Sequence, residues 1–110
     1  MVKQGTIIKI NFNPQLGHEQ AGYRPAVVIS NDIFNEKTKL SIVCPITNTD
    51  KHFPLHISLD ERTKTTGVIL CEHIKSLDLN SRTFQEVEEL PRDLLEKVIN
   101  IVLAEIEEIK

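Results

Sequence analysis

The sequence predicts a small, mainly β protein: an antiparallel barrel with one α-helix at its C-terminal end. Three observations carry this. Most of the chain consists of short runs rich in Val, Ile and Thr, separated by Pro, Gly and polar turns. At Pro91 the apolar period changes from two residues to about 3.6, which marks a helix. A length of 110 residues suits one domain, spanning 1–110, with a core that needs no disulfide or metal staple.

In GTIIKINF, residues 5 to 12, Thr6, Ile8, Ile10 and Phe12 alternate with Ile7, Lys9 and Asn11, the pattern of a half-buried strand. NPQLGHEQAGY, residues 13 to 23, holds Pro14, Gly17 and Gly22 among polar residues and reads as a connecting loop. PAVVIS follows as a strand, and NDIFNEKTK, residues 31 to 39, fits one helical turn capped by Asn31 or Asp32. LSIVCPI (40–46), LHISL (55–59) and GVILC (67–71) are further strands, and IKSLD is a shorter one. The acidic stretch FQEVEELPRD reads as a variable connection. In the helix, Leu94, Leu95, Val98, Ile99, Val102, Leu103, Ile106 and Ile109 form one stripe, suited to covering a curved sheet. Pro91 fits its first turn, where Asp93 complements the dipole. Glu86, Glu88, Glu89, Glu105, Glu107 and Glu108 are expected to face solvent. Five or six short strands with few helices give a barrel SH3-like in size.

The net charge of −3 is unevenly spread. Residues 1–82 carry ten Lys or Arg against eight Asp or Glu, and residues 83–110 carry three against eight. The body is weakly basic and the acidity sits near the C-terminus, so a local positive groove is compatible with the acidic total. MVKQGTIIKINF alternates where a signal peptide needs an unbroken apolar run, and no segment approaches membrane-spanning length, so a cytoplasmic protein is expected. Cys44 and Cys71 lie inside apolar runs and read as buried, reduced core thiols. No Cys-x-x-Cys or His-Glu-x-x-His spacing occurs, and His18, His52, His56 and His73 do not share a helical face, so no metal site is expected.

Two residues stand where chemistry is easiest to build. Arg24 precedes Pro25, whose ring disfavours helical backbone before it, so the arginine should be extended at the mouth of a strand. A planar, permanently charged fork on a rigid base suits a phosphate. The alternative is an edge arginine paired with Glu19. Thr47, in PITNTD, stands where the strand LSIVCPI should end, and its hydroxyl either caps a turn or donates to a phosphate oxygen.

Taken in order, G-x-x-x-x-x-x-F-x-P from Gly5, then GHEQAGYRPAVVIS, PITNTD and GVILCEHIKSLD resemble the MazF/PemK endoribonuclease toxins of bacterial toxin-antitoxin systems over nearly the whole chain. The second block, with its E-Q-x-G-x-R-P-x-x-V-x-S pattern, is the specific one. The resemblance implies an SH3-like barrel, a homodimer, and sequence-selective cleavage of single-stranded RNA without metal or other cofactor, leaving a 2′,3′-cyclic phosphate and a 5′-hydroxyl. It makes Arg24 and Thr47 catalytic, places Glu19 and Gln20 on an RNA-binding loop, and sets Lys75 and Ser76 near the RNA groove. It also implies a MazE-like antitoxin whose acidic tail occupies that groove, in a complex that binds its own promoter DNA. The chain departs from the usual pattern at Thr6, Ile8 and the Glu72-His73 pair, where members often read Asp-Gln or Glu-Gln. If that pair contacts a base, recognition differs.

Cleavage without metal uses the ribose 2′-hydroxyl as nucleophile, and needs a base, a stabiliser of the phosphorane oxygens and an acid for the leaving 5′-oxygen. Arg24 and Thr47 suit stabilisation, with Arg24 also the acid; a guanidinium is a poor base, so Glu19 and His18 are the candidate bases, with a conformationally buried Arg24 as the third alternative. Glu19, Gln20 and Asn48 could read base edges, and Tyr23 and Phe53 are the best-placed stacking rings, although Phe53 equally suits the core. Two other classes fit the same barrel: a noncatalytic toxin resembling the gyrase-trapping CcdB proteins, which would not need Arg24 and Thr47, and a plain binding module.

Overall fold

The computed structural model describes residues 1–12, 23–49 and 52–107. Among these, seven strands pair in the order β4-β5-β3-β2-β1-β7, and β6 pairs with the first half of β3, off that path. The strands are β1 (Thr6–Asn11), β2 (Tyr23–Val28), β3 (Ser41–Thr47), β4 (His56–Ser58), β5 (Val68–Leu70), β6 (Lys75–Leu77) and β7 (Phe84–Glu89). Every pairing is antiparallel, and the described strands form a curved, barrel-like sheet that is not closed. Two helices flank them: α1 (Asp32–Thr38) and α2 (Arg92–Ile106). No helix among the described residues is long and apolar enough to cross a membrane.

The sheet buries both of its faces. On one, Ile7, Val27, Cys44, Ile46, Ile69 and Cys71 meet Leu94, Val98 and Val102 of α2. On the other, Ile8, Ile10, Ala26, Val28 and Val43 pack with Val2, Leu77 and Leu79. The half-buried reading of residues 5–12 is therefore corrected. Ile7 and Asn11 are buried along with Ile8 and Ile10, and Lys9 is the exposed position of β1. The helix supplies the cover that alternation alone could not reveal.

Four other expectations are revised. FQEVEE is a seventh strand, paired with β1 from Thr6↔Glu89 to Ile10↔Phe84 through an irregularity at Ile7/Ile8. Its charges suit a sheet edge with one free flank, which is why its composition resembles a connection. Glu88 on that strand accepts from the backbone N–H of Lys64 (3.0 Å) and Thr65 (2.8 Å) and from the Thr65 hydroxyl (2.7 Å), so it organises a turn instead of facing solvent. The helix after Ser30 is seven residues long, with Asn31 as its cap, accepting from Phe34 N–H at 2.8 Å. In α2, Leu94, Val98 and Val102 are buried as the stripe predicts, whereas Leu103 and Ile106 are 53% and 69% exposed. Ile109 and Glu108 lie outside the described residues.

Pro25 stands on β2 just before the ladder with β3 begins at Ala26↔Pro45, where a missing N–H costs no bond to that neighbour. Cys44 and Cys71 are buried free thiols, as expected. Burial, reinforced by nearby Glu105 and Glu72, pushes both up to about 12, so they stay protonated and inert.

Candidate nucleic-acid interface

At one end of the sheet, Phe12, Arg24, Pro45, Lys75, Ser76, Leu77 and Arg82 line an open groove of about 600 Å³. Three of these side chains are cationic and none is acidic. Arg24 and Lys75 are placed by strands whose register is fixed elsewhere by the core. Ala26 pairs with Pro45 and Val28 with Val43, and Ala26, Val28 and Val43 belong to one apolar cluster. Two positions further along each strand come Arg24 and Thr47, which alternation brings to that same face at the sheet's end. Lys75 pairs with Val43 across β3 and so joins this face from the other side. Arg24 is exposed, as a group that meets a ligand must be, while its backbone stays paired with Ile10.

Thr47 is partly buried, and its Oγ1 accepts from the Thr49 N–H at 3.1 Å. The turn-capping reading holds in this sense, yet a hydroxyl that accepts still has its own proton to donate. Its carbonyl is held from behind by Gly67, at φ +115°, where a Cβ would lie 2.3 Å from Thr47 O. Asn48 is exposed, and its Oδ1 accepts from the Thr66 hydroxyl at 3.0 Å. It lines a different hollow from Arg24, so the structure separates it from Lys75 and Ser76. His18, Glu19 and Gln20 lie outside the described residues.

Sequence reasoning missed Arg82. It follows a short 3₁₀ turn at Leu79–Ser81 and reaches back across the chain, its guanidinium donating to the carbonyls of Asn11 (3.1 Å) and Phe12 (3.3 Å). Only the tertiary fold reveals a pairing so distant in sequence. Phe53, weighed between core and surface, is 48% exposed and sits edge-on to His56, with ring centroids 5.5 Å apart.

The Glu72-His73 departure has a structural partner. His56 Nε2 lies 2.9 Å from Glu72 Oε2, and an ionised carboxylate can only accept, so the imidazole donates. Burial alone would raise Glu72. The His56 hydrogen bond, a backbone N–H and the charges of His56 and His73 outweigh it and hold the carboxyl below its usual 4.5. Glu105 moves the other way, raised by burial and by repulsion from Glu72. A depressed carboxyl contributes stability above its unfolded value and loses it as pH falls through the folded one. Thermal melts should accordingly show stability falling as pH drops below 4.5, with that acid dependence reduced in His56→Gln. An unchanged acid slope in the variant would exclude the pair as its source.

The sequence profile of the PemK-like, MazF-like toxin of type II toxin-antitoxin systems matches residues 3–106. The chain belongs to this family. It is 30% identical over 102 residues to the endoribonuclease PemK of Escherichia coli, covering 89% of this chain and 77% of that protein. The endoribonuclease EndoA of Bacillus subtilis is 32% identical over 103 residues, covering 89% and 88%. Among solved structures, MazF from Deinococcus radiodurans superposes with a TM-score of 0.84 at 36% identity, over 97% of each chain. A MazE–MazF complex from the same organism matches at 0.83 and 30% identity, covering 98% of this chain and 97% of the other. The PemK/MazF assignment accounts for the mainly β sheet with its C-terminal helix, and it gives no support to the gyrase-trapping alternative.

Proposed function

We propose that this PemK/MazF-family toxin is a metal-independent endoribonuclease that cuts single-stranded mRNA at the groove built around Arg24. The observation that carries the reading is the convergence of Arg24, Lys75 and Arg82 on one groove, with Thr47 at the end of the strand beside it, in a chain related to named endoribonucleases. The RNA 2′-oxygen attacks the adjacent phosphorus as a base removes its proton. The P–O5′ bond breaks and the 5′-oxygen takes a proton. The products are a 2′,3′-cyclic phosphate and a 5′-hydroxyl. Arg24 neutralises the phosphorane oxygens and supplies the acid, and the Thr47 hydroxyl donates to one of those oxygens. Glu19 and His18 are the candidate bases, and Glu19, Gln20, Asn48, Lys75 and Ser76 the candidate RNA contacts.

The same reading makes the toxin a cytoplasmic homodimer that halts translation. The exposed Leu103 and Ile106 supply apolar surface for such a partner copy. A MazE-like antitoxin would neutralise it by laying an acidic segment across the cationic groove, in a complex that binds its own promoter. Mixed-sequence RNA tests the chemistry. Purified protein in chelator should cut it and leave cyclic-phosphate ends, and one 2′-deoxyribose at the cut site should abolish that cut. Cleavage that survives the deoxy substitution would overturn the mechanism.

A further inference from the structure

The sheet face covered by α2 emerges from beneath the helix partway along β1. Ile7 and Val27 are buried against the helix, whereas Lys9, the next residue of β1 on that face, is exposed. Lys9 lies between Pro25 of β2 and Gln85 of β7 in the strand register. Two hollows meet at this lysine. One, of about 440 Å³, extends to Asn48, Lys64 and Thr66. The other, of about 500 Å³, extends to Tyr23 and Phe84.

No carboxylate lines either hollow, although Asp32, Glu86, Glu88 and Glu89 crowd the next one along the surface. Glu88 reaches the rim of the first hollow, where it accepts from the Lys64 N–H and the Thr65 hydroxyl, while the charged side chains that line the two hollows themselves are lysines. Cations with hydroxyls and an amide at one end, and the Tyr23 ring at the other, are what a single nucleic-acid strand requires: positive groups to track phosphates and a ring face on which a base stacks. We propose that this face is a second track for single-stranded RNA, with Lys9 and Lys64 holding phosphates and Tyr23 stacking a base outside the cleaved site. The proposal rests on the RNA-cleaving reading of the Arg24 groove. Side chains alternate along β2, so Arg24 presents one face while Tyr23 and Pro25, its neighbours, present the other. RNA passing round the end of that strand meets both surfaces.

The full chain is titrated against 2′-O-methyl RNA, which lacks the nucleophile, in lengths of about 4 and about 16 nucleotides, with binding followed by fluorescence anisotropy across a salt series. The longer strand should bind more tightly. The double variant Lys9→Gln, Lys64→Gln should weaken its binding about tenfold and flatten the salt slope by about 1.4, the value for two phosphate contacts on a single strand. Tyr23→Leu should lower affinity about fivefold or more with the slope unchanged. Lys37→Gln with Lys97→Gln, which removes the same charge elsewhere, should change little, and melting curves establish that each variant is folded. Parent-like binding by the Lys9, Lys64 variant, or an equal loss in the Lys37, Lys97 control, would overturn the track. Failure of the parent to cut all-ribose RNA would overturn the endoribonuclease reading along with it, whereas cleavage with no length preference in binding would overturn the track alone.

Discussion

Arg24→Ala should lower RNA cleavage by about 10³ or more while leaving the melting temperature close to that of the parent. The expected size follows from the two tasks given to one side chain. Loss of a single well-placed donor to a developing oxyanion costs about 10² to 10³, and loss of the acid adds to it. The fold should tolerate the change because Arg24 is exposed and its strand register rests on Ala26, Val27 and Val28 beyond it. Arg24→Lys retains the charge but not the planar fork, so its rate should fall between the two. Combining Arg24→Ala with Thr47→Val provides a sharper check. If both groups stabilise the same phosphorane, the double variant should cost less than the product of the single losses. A discontinuous assay on a labelled RNA measures the parent and all four variants. Near-parental cleavage by Arg24→Ala would remove the arginine from the chemistry.

Gly67→Ala should destabilise the protein by about 3 kcal/mol and reduce cleavage as well. At φ +115° the backbone adopts a conformation that an L side chain resists, and the added methyl would lie 2.3 Å from the Thr47 carbonyl oxygen and 2.8 Å from its carbon. Backbone cannot step aside as a flexible side chain can. Either the β3–β5 pairing at Thr47↔Val68 opens, or Thr47 shifts from the end of its strand. Both outcomes move the hydroxyl proposed to face the phosphate, so stability and rate should fall together. Denaturant titration and the cleavage assay on the same sample test this, and a variant as stable as the parent would show that the contact relaxes at no cost.

Much of this architecture is legible in the sequence. The period change at Pro91 located α2, the β-branched runs located six of the strands, and the Arg24-Pro25 join placed an extended arginine at a strand's mouth. What escaped has physical reasons. β7 was hidden because an edge strand can carry Glu at most positions and draw its order from hydrogen bonds to β1. The burial of Ile7 depends on a helix some ninety positions later in the chain, which no local alternation encodes. Arg82 entered the groove through carbonyls at Asn11 and Phe12, acceptors that every residue possesses and no motif advertises. Asn48 went astray for a simpler reason. Adjacent residues at a strand end point to different sides, so nearness to Thr47 in sequence does not carry Asn48 toward the face that holds Arg24.

The alternation along β2 also constrains how such a toxin can change over generations. A single inserted or deleted residue between Tyr23 and Val28 would exchange inside for outside along the strand, burying the arginine in an apolar cluster and exposing valine. Length variation is therefore excluded from this short segment. Diversification of what the protein recognises is channelled into the parts that carry no register, and the arginine keeps its aim through all of them.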